Sequence, residues 1–114
     1  MNIQAPAVRS IDDFLRWSET QDDRYEFVHG RIVPLVRVSR NHARIASKLL
    51  MLIGAQLDLD RFDVGAAEFA VQTGAGVRFP DVFVDRVTAE TGGKDRLARS
   101  LVLAAEVQIG RAHV

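Results

Sequence analysis

The sequence predicts an α/β domain in which a mixed sheet is flanked by helices. Three observations support this prediction: one long segment with apolar residues at helical spacing, several short runs with strand character around it, and Gly-containing turns between the runs. Elements that alternate in this way pack in layers around a shared core. A chain of 114 residues has room for one such core and not for two.

The first third of the chain predicts a helix followed by a β-hairpin. Ser10, with Asp13 three residues later, is a weak form of the capping box and precedes an apolar run, which indicates a helix over residues 11–19. Residues 25–33 then change to the alternation of strands, with His29-Gly30 at their centre. We therefore expect an antiparallel hairpin that turns at His29-Gly30.

The middle of the chain predicts one long helix. Apolar residues such as Ile45, Leu49, Leu52 and Ile53 recur mostly three and four positions apart, so we expect a helix over residues 41–57 that packs across the sheet. The remaining predicted elements are strands at residues 62–65, 69–72, 78–84 and 101–107, a turn at residues 73–76 and a surface loop at residues 88–94.

Composition leaves most classes of partner open. The formal net charge is zero, so the total charge neither favours nor excludes nucleic-acid binding. Cysteine is absent, which excludes disulfides, thiolate metal sites and cysteine nucleophiles and fits a reducing compartment. The N-terminus has no signal-peptide pattern, and the longest apolar run is too short to span a bilayer. We expect a cytoplasmic protein without membrane contact.

The most informative feature is a pair of acids set into apolar runs. Asp81 follows Pro80 in one run, and Glu106 lies near the end of the last one. Burying an ionised carboxylate costs several kcal/mol unless a cation, a proton or a donor offsets it. Carboxylates on adjacent strands could share Mg²⁺, which retains several waters when two acids bind it. Alternatively, Asp81 accepts a hydrogen bond from a turn and Glu106 lies at a solvent-facing strand end.

Two further residues are candidates for the same site. His42 lies near the start of the long helix and on its apolar face, where an imidazole could contact a phosphate or a metal; the alternative is a partly buried histidine bonded to backbone. Glu26 alternates with Tyr25 and Phe27 and could be a third acid near a metal. Glu26 could equally be a solvated strand residue.

Four segments in order resemble one family. They are residues 24–33 (RYEFVHGRIV), 39–45 (SRNHARI), 79–82 (FPDV) and 101–107 (LVLAAEV). Together they resemble the Uma-type putative restriction endonuclease family of the PD-(D/E)xK nuclease superfamily. The resemblance extends over nearly all of residues 11–107 and is specific because of the order of the segments.

The resemblance implies a restriction-endonuclease-like fold and a divalent-metal-dependent endonuclease that hydrolyses DNA. It implies that Asp81 and Glu106 hold Mg²⁺ or Mn²⁺, that the carbonyl of Val107 adds a ligand, and that Glu26 and His42 lie at or near the site. DNA is then the partner, and a homodimer would suit cleavage of both strands. The alternative is a non-catalytic DNA-binding or protein-interaction module that retains the fold.

The C-terminal end departs from the family pattern. The superfamily places a lysine two residues after the second acid or recruits one from elsewhere, and Gln108 occupies that position here. Residues 109–114 (IGRAHV) are also the translation, in one frame, of a common short-read sequencing adapter. We therefore expect residues 1–108 to be a partial domain, incomplete at the C-terminus, inactive and marginally stable. We expect residues 109–114 to be a non-native tail, in which His113 is not a metal ligand.

Overall fold

The computed structural model describes residues 8–109, which form two helices and eight strands arranged in two sheets. The helices and strands are α1 (Ile11–Ser18), β1 (Tyr25–Val28), β2 (Arg31–Pro34), α2 (Arg40–Gly54), β3 (Phe62–Ala66), β4 (Ala70–Thr73), β5 (Gly76–Arg78), β6 (Val82–Arg86), β7 (Leu97–Ala98) and β8 (Leu101–Ala105). The expected α/β class is confirmed, although the strands form two sheets where one was expected. Apart from Ile109, the expected tail lies outside the described residues, as does His113.

Local signals predicted the first helix and the hairpin correctly. The Ser10 hydroxyl accepts a hydrogen bond from the Asp13 amide (3.1 Å) at the start of α1. Between β1 and β2, His29 has φ 51° and Gly30 has φ 74°. Two successive residues in the left-handed region are the geometry of a tight hairpin turn whose twist matches that of the strands.

The first core lies between α1 and a five-stranded sheet with the order β2-β1-β5-β4-β7. Phe14 of α1 is completely buried, and its ring stacks on that of Phe27 with 5.3 Å between the centroids. Tyr25, Val77 and Leu97 surround this pair. The amphipathic face that the sequence indicated for α1 therefore covers this sheet.

The second sheet is antiparallel, with the order β3-β6-β8, and α2 contacts β3 and β6. This confirms the expected packing of the long helix across a sheet. Its central strand β6 buries Val82, Phe83 and Val84. The helix itself has no fully buried residue, and Met51 and Leu52 are more than 60% exposed.

The predicted strand over residues 78–84 is wrong because it is divided between the two sheets. β5 ends at Arg78 in the first sheet, and β6 begins at Val82 in the second. Residues 79–81, which we call the crossover, connect the sheets, and the buried Pro80 has no N–H to donate to a ladder. Asp81 therefore precedes a strand. Glu106 likewise follows β8, so both acids flank strands and do not lie within them.

The turn predicted at residues 73–76 is confirmed, and its Gly76 provides a test of the fold. Gly76 has φ 144° and lies against β1, where an added Cβ would overlap the carbonyl oxygen of Phe27. That oxygen belongs to a strand that is paired on both sides, so it cannot move away without disturbing the sheet. We therefore expect Gly76→Ala to lower the free energy of unfolding by about 2 kcal/mol or more. Urea unfolding of the variant measures this change.

Gly74→Ala is the matched control, because a Cβ at Gly74 has no heavy atom within 4 Å. We expect the control to unfold at the same urea concentration as the unmodified chain. Equal midpoints for both variants would show that the close approach at Gly76 is not a constraint.

Candidate functional site

Pairing between β6 and β8 brings the two predicted acids together. The strands are antiparallel, and Val82 lies opposite Ala105 at one end of the ladder. Asp81 comes directly before Val82 and Glu106 directly after Ala105, so the two acids lie side by side where the strands end. Both line a cleft of about 1010 Å³, at the side of which α2 begins.

Asp81 is held by two donors from different parts of the chain. Its Oδ2 accepts a hydrogen bond from the Val107 amide at 2.7 Å and lies 3.0 Å from Nε2 of His42. The carboxylate is only 13% exposed. Both of these bonds fall on Oδ2.

The first turn of α2 places His42 at the site. Ser39 caps this helix by accepting a hydrogen bond from the His42 amide (3.2 Å), which is a structural reason for the spacing of three residues between Ser39 and His42. An ionised carboxylate only accepts, so the contact with Asp81 requires a proton on Nε2. The imidazole is partly buried as expected, but it bonds to a carboxylate and not to backbone. Its Nδ1 is buried without a partner among the described residues.

Glu106 is exposed at the mouth of the cleft, yet its carboxyl group lies beside Asp81. Partial burial raises the pKa of Glu106, and the charges of Asp81 and Glu26 raise it further. The guanidinium of Arg78 opposes this shift. Two adjacent carboxylates repel each other, and such repulsion is relieved by a proton or by a cation.

Glu26 is buried in β1 and is not the solvated strand residue that one interpretation predicted. Its Oε2 accepts a hydrogen bond from the Phe79 amide (2.7 Å), and its Oε1 accepts one from Nε of Arg78 (3.2 Å). Both oxygens are therefore engaged beside the crossover. Within residues 8–109, no three His, Asp or Glu side chains are grouped so that they could hold a metal.

Three arginines from separate parts of the sequence line the cleft. They are Arg24, Arg37 and Arg78. Arg24 lies over the ring of Phe79 (5.0 Å to its centroid) and donates to the carbonyl of Ala67. Dispersed arginines carry no sequence pattern that places them at one site, so their convergence on the cleft is a result of tertiary structure.

The donor set fits a hard divalent cation. Asp81 and Glu106 offer carboxylate oxygens, Val107 lines the same cleft, and the cleft has room for water. Mg²⁺ is bound in this way, through one or two carboxylates with several waters retained. Thiolate ligands are absent from the whole sequence, so softer metals are less suited to the site.

The mixed α/β fold and the paired acids at the ends of adjacent strands define the class, a restriction-endonuclease-like domain. The chain belongs to the Uma2 family, described as putative restriction endonuclease, whose family model matches residues 11–111. The family resemblance is thus confirmed, and it indicates a nuclease. No curated protein and no solved structure matches the chain. Among the described residues, no helix has the length and apolar character needed to cross a membrane.

The raised pKa of Glu106 predicts that Glu106→Gln stabilises the metal-free protein at neutral pH. A carboxyl whose pKa is higher in the folded state contributes stability below its unfolded value, near 4.5, and this contribution is lost as the pH rises through the folded value. Gln cannot ionise and avoids that loss. Urea unfolding in EDTA at pH 4 and pH 7 should show a stabilisation that is larger at pH 7.

Glu90→Gln is the control, because Glu90 is exposed in a surface turn away from the cleft. We expect the free energy of unfolding of this variant to follow that of the unmodified chain at both pH values. A Glu106→Gln variant that is less stable at pH 7 would contradict the charge repulsion described above.

Proposed function

We propose that this domain is built for divalent-metal-dependent hydrolysis of DNA phosphodiester bonds. Asp81 and Glu106 hold Mg²⁺ or Mn²⁺ in this proposal, with the carbonyl of Val107 as an additional ligand. The observation that carries it is the pair of adjacent carboxylates in a cleft, one of them with a raised pKa. Membership of a restriction endonuclease family supports DNA as the substrate.

The bound cation would stabilise charge on phosphoryl oxygens and activate a water. The residues of the chain orient the ligands and the substrate. His42 and the Val107 amide fix one oxygen of Asp81. Arg37 and Arg78 add positive charge to the cleft wall, where guanidinium groups can hold phosphates by paired hydrogen bonds.

The proposal makes metal binding depend on the two acids. We expect Asp81→Asn to weaken Mn²⁺ binding at least about tenfold, because a neutral amide replaces one of the two charged carboxylates. Glu106→Gln should weaken it similarly. Isothermal titration with Mn²⁺ measures both affinities, and nicking of supercoiled plasmid in Mg²⁺ measures activity.

Asp63→Asn is the matched control, because Asp63 is an exposed acid of β3 that does not line the cleft. We expect its Mn²⁺ affinity to equal that of the unmodified chain. Binding that survives in both cleft variants, or that falls equally in the control, would place the metal elsewhere and reject the proposal.

The position two residues after Glu106 provides a second test. Gln108 lines the cleft and can donate hydrogen bonds, but it supplies no positive charge where the superfamily pattern has a lysine. We propose that activity needs such a cation and that this chain is inactive without it. Gln108→Lys should therefore raise Mg²⁺-dependent plasmid nicking at least about tenfold, since each tenfold gain needs only about 1.4 kcal/mol of transition-state stabilisation.

Asp81→Asn combined with Gln108→Lys is the control for contaminating nucleases, and we expect no nicking from this double variant. Equal nicking by the single and double variants would show that the added lysine does not act through the Asp81 site.

Gln108 also favours a second candidate, a non-catalytic DNA-binding or protein-interaction module that retains the fold. A module of this kind would bind duplex DNA without a requirement for Mg²⁺, or not at all, and Gln108→Lys would produce no cleavage. Fluorescence anisotropy with labelled duplex DNA, in Mg²⁺ and in EDTA, separates the two candidates.

A further inference from the structure

We propose that Glu26 is a positioning residue that fixes the crossover and thereby the carboxylate of Asp81. The proposed function supplies the role of Asp81 as a metal ligand, and the inference rests on it for that role only. Glu26 would act through Arg78 and Phe79 and would not itself contact the metal or the DNA.

The position of Glu26 follows from the pairing of β1 with β5. Phe27 lies opposite Val77 in this ladder, so Glu26 lies beside the point where β5 ends. The chain leaves the sheet there, and the Phe79 amide has no strand to donate to. Oε2 of Glu26 accepts that amide hydrogen at 2.7 Å, as the backbone of a neighbouring strand would otherwise do.

The contacts of Glu26 are charge-assisted and buried. Its side chain is 8% exposed, and Oε1 accepts a hydrogen bond from the guanidinium of Arg78 at 3.2 Å. Hydrogen bonds to an ionised group are about twice as strong as neutral ones. Removing the carboxylate would leave the Phe79 amide without its acceptor in a partly buried position, which is unfavourable because no other group among the described residues replaces the lost bond.

Movement at Phe79 is transmitted to Asp81 because the connection is short and stiff. Only Pro80 separates them; its ring fixes its own φ, and the residue is fully buried. A shift of Phe79 would therefore carry Asp81 away from the Val107 amide, 2.7 Å from Oδ2.

The same geometry argues against Glu26 as a third metal ligand. Both of its oxygens already accept hydrogen bonds from the crossover and from Arg78. A ligand role would require at least one of these bonds to break. The two roles predict different results when the acid is replaced.

The test uses Glu26→Leu, which removes both acceptors, and Glu26→Gln, which keeps one carbonyl acceptor for the Phe79 amide. Amide hydrogen exchange is measured by NMR at Phe79, at Val107, which reports the position of Asp81, and at Ser100. The Ser100 amide is the internal reference, because it donates its hydrogen bond to the carboxylate of Asp85 and not to Asp81 or Glu26. Mn²⁺ affinity is measured by titration for all three proteins.

We expect Glu26→Leu to accelerate exchange at Phe79 and Val107 at least about tenfold relative to Ser100 and to weaken Mn²⁺ binding to a similar degree. Glu26→Gln should restore most of both properties, which a ligand role would not allow because the charge is lost. If Glu26→Leu does not fold, the Glu26→Gln variant decides. Slow amide exchange at Phe79 and Val107 in that variant supports the proposal, and fast exchange at both amides rejects it.

Unchanged exchange at Val107 in Glu26→Leu would overturn the proposal, and so would an equal acceleration at Ser100, which indicates general destabilisation. If the unmodified chain binds no Mn²⁺, the proposed function fails. The exchange at Val107 still decides whether Glu26 positions Asp81, so the two failures are distinguishable.

Discussion

The hydrogen bonds to Oδ2 of Asp81 are the interaction on which the site depends. One donor is the imidazole of His42, from the first turn of α2, and the other is the amide of Val107, just beyond β8. These donors are 39 and 26 residues away from Asp81 along the chain. A single carboxylate therefore ties together a helix, the crossover and the end of a strand, and it sets the shape of the cleft between them.

Two carboxyl groups with raised pKa values show why a shift alone does not identify a site. Burial is the main cause for both Asp85 and Glu106. Asp63 and Asp95 raise the pKa of Asp85 as well, but the Ser100 amide opposes them by donating a hydrogen bond to its carboxylate. Glu106 faces Asp81 instead, and although Arg78 opposes the shift, the repulsion between the two carboxylates is further relieved by a proton or a cation. The neighbours of a carboxylate, and not the size of its shift, separate a structural acid from a candidate ligand.

The parts of the fold that were predicted from sequence are those determined by near neighbours. The turn at His29-Gly30 needs two residues that tolerate positive φ, and the cap of α1 needs Ser10 within reach of an amide three residues away. The crossover was read as strand because Phe79 and the residues around it have strand character. Its actual course depends on which sheet each end joins, and this is decided by pairing with distant strands.

The amino-acid pattern identified Asp81 and Glu106 as candidates, because an acid set into an apolar run is costly to bury in its ionised form and the family resemblance implied a role for both. It also placed Glu26 on the face of β1 opposite to Tyr25 and Phe27, since side chains alternate along a strand. What Glu26 meets on that face, Arg78 and Phe79 some 52 and 53 residues later, was set only by tertiary structure. Periodicity specifies the direction of a side chain from its own backbone, whereas a hydrogen-bond partner is specified by the packing of separate segments.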